Sequence, residues 1–167
     1  SIIYSNEAKY VSNINFIGNS QIKKDMLQSV IKMQSPKFFK RSVFNPKKLN
    51  RDKIFLETYY KSKGYLAVNI VPEYFTVDDM YINIKYFIEE GNQYRIKDLV
   101  LSGNKIFSEE EIISQFDLET NNQYYNPSGI RKELQLLKRK YLLNGKVDIA
   151  IMDEIHIDGS DVIARIN

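Results

Sequence analysis

The chain is poor in the residues from which enzymes most often build metal sites and nucleophiles. It has 167 residues, no cysteine and a single histidine, His156. Disulfides and thiolate metal sites are therefore excluded, and a histidine-based metal site or proton relay would lack partners. His156 lies in the sequence EIHIDG, with no base or nucleophile near it in sequence, so we interpret it as a structural residue. We expect no enzymatic activity, no metal and no cofactor.

Long apolar runs and excess charge are also scarce. No apolar segment approaches the ~20 residues that a membrane-spanning helix requires. The N-terminal sequence SIIYSNEAKY lacks the basic start and apolar core of a signal peptide. Seven glycines and four prolines beside 43% apolar residues are typical of ordinary globular domains. The net charge of +3 is far below that of a dedicated nucleic-acid-binding protein. We expect a soluble part of a longer protein.

What the sequence does contain is an internal repeat, which should be sought before anything else. The segment NINFIGNSQI at 13–22 returns as DLVLSGNKIF at 98–107, and FNPKKL at 44–49 returns as YNPSGI at 125–130. A Tyr-x-x-x-Gly pattern follows in both copies, at 60–64 and 141–145. The repeat predicts one unit over 11–91 and another over 92–167, with 1–10 as an extension or the end of a preceding domain.

Each copy predicts the element order β-α-α-β-β. Alternating apolar residues that end at Gly-Asn indicate a first strand, because these residues tolerate the left-handed backbone of a turn. The first helix of the second copy has a capping box at Ser108 and Glu111, which the first copy lacks. The second helix of each copy begins at an Asn-Pro pair, with asparagine at the N-cap and proline at the first helical position.

The remaining elements of each copy are two strands. After helix exits at Gly64 and Gly145, apolar alternation predicts second strands over 66–71 and 146–151. Pro72 places the first of these at a sheet edge, because proline cannot donate to a central ladder. Turns at 78–79 and 158–161 lead into the third strands, where apolar residues alternate over 82–88 and 162–166. The aspartates of these turns are interpreted as turn residues rather than calcium ligands. The fold class is α+β, with a three-stranded sheet and two helices on one face in each unit.

The order of these motifs resembles the POTRA domain, the polypeptide-transport-associated module of the BamA/TamA superfamily of outer-membrane assembly and translocation proteins. The resemblance rests on the strand-terminal Gly-Asn, on Tyr60 followed by Gly64-Tyr65, and on Glu90-Gly91 after the third strand. It covers nearly the whole chain and favours the BamA-like branch, with TamA-type and two-partner-secretion transporters as close alternatives. The second copy departs from the pattern, because Gly145 is followed by lysine rather than tyrosine.

The resemblance implies a module on the periplasmic side of the bacterial outer membrane. It would assist the insertion of β-barrel proteins and would bind unfolded outer-membrane protein clients. Accessory lipoproteins or periplasmic chaperones are further implied partners, as are the protein's own C-terminal β-barrel and the inner leaflet of the outer membrane. No nucleic-acid partner and no cofactor is implied.

Binding through a sheet edge has a physical basis in this fold. The free N–H and C=O groups of an edge strand can pair with an extended segment, and this pairing makes little demand on sequence. The alternative interpretation is an edge that is merely protected by Pro72 and by charges. The residues predicted to form the binding edges are Leu66, Ala67, Val68, Asn69, Ile70 and Val71 in the first copy, and Lys146, Val147, Asp148, Ile149, Ala150 and Ile151 in the second.

A basic segment with interleaved aromatic residues lies between the two helices of the first copy. It could meet anionic lipid head groups or an acidic partner. In the alternative interpretation, Phe39 and Phe44 fasten the loop to the helices while the cations are solvated. The candidate patch comprises Lys37, Phe38, Phe39, Lys40, Arg41, Lys47, Lys48 and Arg51.

The competing class is an RNA-binding module, which the sequence KGYLAVNI suggests by its likeness to the core octapeptide of RNA-recognition motifs. Leu66 and Ala67 stand where that motif needs a small residue and an aromatic, and Ile70 replaces its last aromatic. The predicted element order also differs from the β-α-β-β-α-β order of that fold. The sequence therefore disfavours RNA binding.

Overall fold

The computed structural model describes residues 8–36, 41–115, 124–146 and 150–167. The chain divides into two compact units. The first comprises Ser1–Tyr60 with Ala67–Gly91, and the second comprises Lys61–Leu66 with Asn92–Asn167. The predicted order β-α-α-β-β is confirmed in two successive sets: β1 (Tyr10–Ile17), α1 (Lys24–Val30), α2 (Pro46–Ser62), β2 (Asn69–Thr76) and β3 (Tyr81–Glu89), then β4 (Arg95–Leu101), α3 (Glu109–Gln115), α4 (Pro127–Leu143), β5 (Asp153–Asp158) and β6 (Asp161–Ile166).

Each unit has a mixed three-stranded sheet whose central strand comes last in sequence. Strand β3 pairs parallel with β1 and antiparallel with β2, and β6 pairs in the same way with β4 and β5. The predicted alternation of the central strands is confirmed, because every second side chain is buried. These buried residues are Ile82, Ile84, Tyr86 and Ile88 in β3, and Val162, Ala164 and Ile166 in β6.

The first strand of each unit carries the same irregularity. The register of β1 against β3 shifts between Val11 and Asn13, and β4 shifts in the same way just before Asp98. The side-chain Oδ1 of Asn13 and that of Asp98 each accept the N–H of the following residue, at 2.8 Å. Because a bulge inserts an extra residue, Val11 and Ile14 are both buried although they are three positions apart.

The helices begin where the sequence signals predict. Helices α2 and α4 start at the prolines of the two Asn-Pro pairs, and Asn45 Oδ1 and Asn126 Oδ1 accept first-turn backbone N–H groups at 2.9 and 3.1 Å. The capping box is confirmed, since Ser108 N–H donates to Glu111 Oε2 at 2.9 Å and Glu111 N–H donates to Ser108 Oγ at 3.1 Å. None of the helices in the described ranges combines the length and apolarity that crossing a membrane requires.

The second strand of the first unit starts later than the alternation predicts. Gly64 leaves α2 with φ of +88°, as expected, but the strand begins at Asn69 and not at Leu66. Tyr94 N–H donates to Gly64 O at 2.9 Å, and Tyr65 is buried. These contacts hold the intervening residues in turns, so their apolar side chains do not belong to a ladder.

The second strand of the second unit is displaced in the same direction. Strand β5 begins at Asp153, whereas the alternation predicts a strand over 146–151. Lys146 follows the turn at Gly145, and Ala150 and Ile151 precede the strand without belonging to it. Residues 147–149 of the predicted strand lie outside the described residues.

Candidate functional site

The sheet edges differ in how far the chain itself covers them. At the start of β1, Val11 N–H donates to Ser42 O and Phe44 N–H donates to Lys9 O, both at 2.8 Å. The start of β4 is covered in the same way, by an isolated bridge between Arg95 and Tyr124. Among the described residues, no strand pairs with the outer side of β2 or of β5. These two edges are the candidates for binding an extended segment.

The edge of β5 presents an unbroken series of main-chain groups. Met152 and Asn167 exchange two main-chain hydrogen bonds, at 3.2 and 3.0 Å, just before the ladder of β5 and β6 begins. Because hydrogen-bonded and non-hydrogen-bonded pairs alternate along an antiparallel ladder, every second residue of β5 then directs its N–H and C=O away from β6. The outward residues are Asp153, Ile155 and Ile157, and all three have an N–H group.

The edge of β2 is interrupted. Val77 N–H donates to Tyr81 O at 2.8 Å at the turn that joins β2 to β3, so the alternation directs Phe75 and every second residue before it toward β3. The outward residues are then Ile70, Pro72, Tyr74 and Thr76. Pro72 has no N–H and can occupy only such an outward position. An extended partner on β2 would lack one donor in the middle of the strand.

The predicted edge residues are therefore only partly in the right place. Asn69, Ile70 and Val71 lie in β2, but of these only Ile70 faces outward. Leu66, Ala67 and Val68 precede the strand, as do Lys146, Ala150 and Ile151 in the second unit. The outward residues Tyr74, Ile155 and Ile157 were missed because the strands were predicted to begin several residues too early. In β2, Pro72 was the one sequence signal for the residues that direct their main-chain groups outward, because it has no N–H.

Exposed apolar side chains accompany both edges. Ile157 is 48% exposed and Tyr74 is 52% exposed, although both point to the same sheet face as buried residues of the central strands. His156 lies in β5, with an exposed side chain opposite Ile163. An edge that combines free main-chain groups with apolar side chains can hold an extended segment both by hydrogen bonds and by burial.

A buried carboxylate, Glu90, fixes the end of β3 in the first unit. Its oxygens accept the backbone N–H groups of Ser20 and Gln21 at 3.2 and 3.1 Å, and the hydroxyls of Ser20 and Tyr60 at 2.6 and 3.0 Å. Burial raises the pKa of Glu90, but the bonds from Ser20, Gln21, Tyr60 and Ile22 outweigh it, so the pKa lies below its ordinary value. Glu90 thus has a structural role, which the sequence shows only as part of the Glu-Gly motif.

A second buried carboxylate, Asp52, lies on the inner side of α2 and has no solvent exposure. Asp52 Oδ1 accepts Lys32 N–H at 2.7 Å, and Asp52 Oδ2 accepts Met33 N–H at 2.8 Å and the Tyr86 hydroxyl at 3.4 Å. Burial and the negative charge of Asp52 raise the pKa of Tyr86 well above its ordinary value. The sequence suggested no such role for Asp52, because its donors lie about 20 residues away.

The described part of the basic segment is exposed. Arg41 lies 5.3 Å from the centre of the Tyr10 ring, and Lys47, Lys48 and Arg51 occupy the solvent side of the first turns of α2. Lys37, Phe38, Phe39 and Lys40 lie outside the described residues. Phe44 contacts the Tyr74 ring, with 4.7 Å between ring centres. Phe44 thus packs against β2, whereas the alternative interpretation of the sequence placed it against the helices.

The described residues contain no group of three or more histidine, aspartate or glutamate side chains that could hold a metal ion. Within the described ranges, two successive modules share the order β-α-α-β-β and each has a three-stranded sheet, which defines a class of tandem α+β repeat domains. The POTRA family model, described as a surface antigen variable number repeat, matches residues 9–91 and 94–167. The chain belongs to the POTRA family. The POTRA domains of BamA are non-enzymatic parts of an assembly factor, which agrees with the prediction that the chain is not an enzyme.

The relatives of the chain are outer-membrane assembly factors. A protein of Treponema pallidum (strain Nichols), provisionally named an outer membrane protein assembly factor, is 29% identical over 90% of this chain and 19% of its own length. The outer membrane protein assembly factor BamA of Buchnera aphidicola is 25% identical over 89% of this chain and 25% of its own length. The chain therefore spans a quarter or less of these relatives.

The fold is also that of solved POTRA structures. The crystal structure of POTRA domains 3–5 of Haemophilus influenzae BamA aligns with 96% of this chain and 65% of that chain, at a TM-score of 0.66 and 17% identity. At that identity the likeness shows the fold, and it agrees with the tandem α+β units described above.

Proposed function

We propose that the two units are periplasmic domains of an outer-membrane protein assembly factor and that they bind unfolded β-barrel clients by strand addition. Membership of the POTRA family and the names of the relatives support the assembly role. The observation that carries the binding mode is the edge of β5, where three outward residues each offer an N–H and a C=O beside exposed apolar side chains. TamA-type and two-partner-secretion proteins remain the alternative setting for the same domains.

Strand addition suits clients of diverse sequence, because main-chain bonds supply the affinity. The edge of β2 would contribute less than that of β5, since Pro72 removes one donor from its outward series. Accessory lipoproteins or chaperones could compete for the same edges, and the protein's own β-barrel would bring these edges close to the site of insertion.

The test replaces an outward residue of β5 by proline. Ile157→Pro removes one free N–H from the edge and leaves the bonds between β5 and β6 in place, whereas Ile157→Val keeps the N–H group. Binding of a fluorescent peptide that corresponds to one barrel strand should weaken about two- to tenfold with proline, the loss of one hydrogen bond. Valine should leave binding unchanged.

The matched pair on β2 is Tyr74→Pro and Tyr74→Val, for which we expect a smaller difference. A folded Ile157→Pro variant that binds the peptide as tightly as the unmodified chain contradicts strand addition at β5. Circular dichroism of each variant establishes whether it is folded.

A second, membrane-directed role is proposed for the basic patch. Lys47 and Lys48 are exposed in the first turn of α2, which contains no acidic residue, although cations there oppose the helix dipole. An anionic surface would relieve that repulsion. Co-sedimentation with anionic and with neutral liposomes tests this role, and equal binding to both would contradict it.

A further inference from the structure

The two faces of β5 carry different kinds of side chain. Ile155 and Ile157 point to the face of the sheet that packs on α4, since their partners in β6 are the buried residues Ala164 and Val162. Ile155 packs against the core cluster that includes Ile130 of α4, whereas Ile157 is 48% exposed. An aliphatic side chain added beside Ile157 would continue this apolar row and remove its exposed surface from water.

The opposite face of β5 is acidic. Glu154 and Asp158 lie on it with His156 between them, and all three side chains are exposed. Asp158 lies opposite Asp161 of β6, and like charges in that position repel each other. Lys97 Nζ lies 3.2 Å from Asp161 Oδ2, whereas the described residues provide no ion pair for Asp158. We call Glu154 and Asp158 the acidic row.

The acidic row also occupies the positions at which an added strand would come closest. The main-chain groups of Ile155 and Ile157 are directed outward, so the residues between and beside them form the non-hydrogen-bonded pairs with an antiparallel segment. The Cα atoms of such pairs are about 4.5 Å apart, against about 5.5 Å in the hydrogen-bonded pairs. Glu154 already lies opposite Arg165 of β6, but its outer flank faces no strand within the described ranges.

The edge of β2 in the first unit has a different character. On the equivalent face, Val71 and Phe75 are 45% and 43% exposed, and Glu73 lies between them opposite Lys85 of β3. Lys85 Nζ also lies 4.9 Å from the centre of the Phe75 ring. A cation in a strand added to β2 would therefore approach a lysine as well as a carboxylate. The acidic row is a property of the β5 edge.

We propose that β5 selects an extended segment that is aliphatic on one face and carries lysine or arginine on the other. This inference rests on the strand addition proposed above and adds the chemistry of the segment. Its aliphatic residues pack beside Ile155 and Ile157, and its two cations, four residues apart, lie beside Glu154 and Asp158. Each opposite-charge pair across strands strengthens binding by a factor of about 1.5 to 5.

The test measures the binding of fluorescent peptides to the whole chain by anisotropy at low salt. The peptide Thr-Lys-Ile-Ser-Ile-Lys-Thr reads the same in both directions, so it can present both lysines to the acidic row in either orientation. It should bind about tenfold more tightly than Thr-Glu-Ile-Ser-Ile-Glu-Thr, with Thr-Ser-Ile-Ser-Ile-Ser-Thr between them. The net charge of the chain, +3, favours the acidic peptide, so non-specific attraction cannot produce this order. Serine in place of both isoleucines should weaken binding about tenfold.

Variants of the chain locate the preference. Glu154→Lys should abolish it and Asp158→Asn should reduce it about threefold. The matched control is Glu110→Lys, which changes the net charge equally at an exposed position of α3 and should leave the preference unchanged. Salt at about 0.5 M should shrink the difference between the charged peptides, because it screens exposed charges.

The outcomes separate this inference from the strand addition on which it rests. Equal binding of the lysine and glutamate peptides, both weakened by Ile157→Pro, would overturn the selection of cations and leave strand addition at β5 intact. A preference for lysine that survives Glu154→Lys with Asp158→Asn would likewise overturn the role of the acidic row. Binding of none of the peptides to the folded chain would overturn strand addition itself.

Discussion

Replacement of Glu90 by glutamine should strongly destabilise the first unit. The carboxylate accepts from Ser20 N–H, Gln21 N–H and two hydroxyls, all between 2.6 and 3.2 Å. Glutamine keeps one acceptor oxygen and directs an NH₂ group at donors, so at least one buried donor loses its acceptor. An unsatisfied buried donor costs about 1–3 kcal/mol, and a hydrogen bond to a charged group contributes about 1.5–3 kcal/mol. We expect a loss of about 2–4 kcal/mol.

The neighbouring Glu89→Gln is a matched control, because Glu89 is exposed and accepts an exposed bond from Asn69 Nδ2 at 3.2 Å. Its effect should stay below about 0.5 kcal/mol. The two units can unfold separately, so the free energy of unfolding is measured by hydrogen exchange of β3 amides. An E90Q variant as stable as E89Q would refute the structural role of the carboxylate.

The same comparison has a predictable pH dependence. The pKa of Glu90 is lowered in the folded chain, so its contribution to stability is complete above the ordinary carboxyl pKa, near 4.5, and is lost as the pH falls through the lower folded value. The difference in stability between the unmodified chain and E90Q should therefore be constant from neutral pH to about pH 5 and should shrink below pH 4.5. A difference that instead shrinks toward alkaline pH would contradict this linkage.

Four further substitutions test the fold. Gly18→Ala should cost more than Gly103→Ala, because both glycines have positive φ but only a side chain at Gly18 collides with the Ile88 carbonyl; unfolding in urea compares them. Asp52→Asn should destabilise the first unit by about 2–3 kcal/mol, since two backbone donors share the buried carboxylate, and hydrogen exchange of α2 amides measures the loss. Asn126→Ala should remove about 1 kcal/mol from the second unit, seen as a lower thermal midpoint.

Signals that lie within a few residues of each other predicted the fold well. The Asn-Pro pairs and the capping box at Ser108 act through contacts at most four residues apart, and the structure confirms them. The positive φ of the glycines that end α2 and α4 is also confirmed. The alternation in β3 and β6 was also reliable, because a central strand with one buried face cannot slip without exposing that face. The repeat then extended these local signals to the element order of both units, while the strand order and the mixed pairing were found only in the structure.

Features that depend on distant contacts could not be predicted in this way. Glu90 and its donors are about 70 residues apart, so no local pattern indicates that the carboxylate is buried. The start of β2 was misplaced because Gly64 and Tyr65 are held in a turn by tertiary contacts. In β5, which contains no proline, the residues that direct their main-chain groups outward are known only once the start of the strand and its hydrogen-bonded pairs are known, because the alternation of side chains does not specify them.

The position of Glu90 has a mechanical consequence. It is the last residue before Gly91, at which the first unit ends, and it joins that point to the loop after β1 and to α2. Tension applied to the chain beyond Gly91 would therefore load these side-chain bonds before it reached the ladder between β1 and β3. A unit pulled from this end would give way first at one carboxylate, and protonation of that carboxylate would lower the force required.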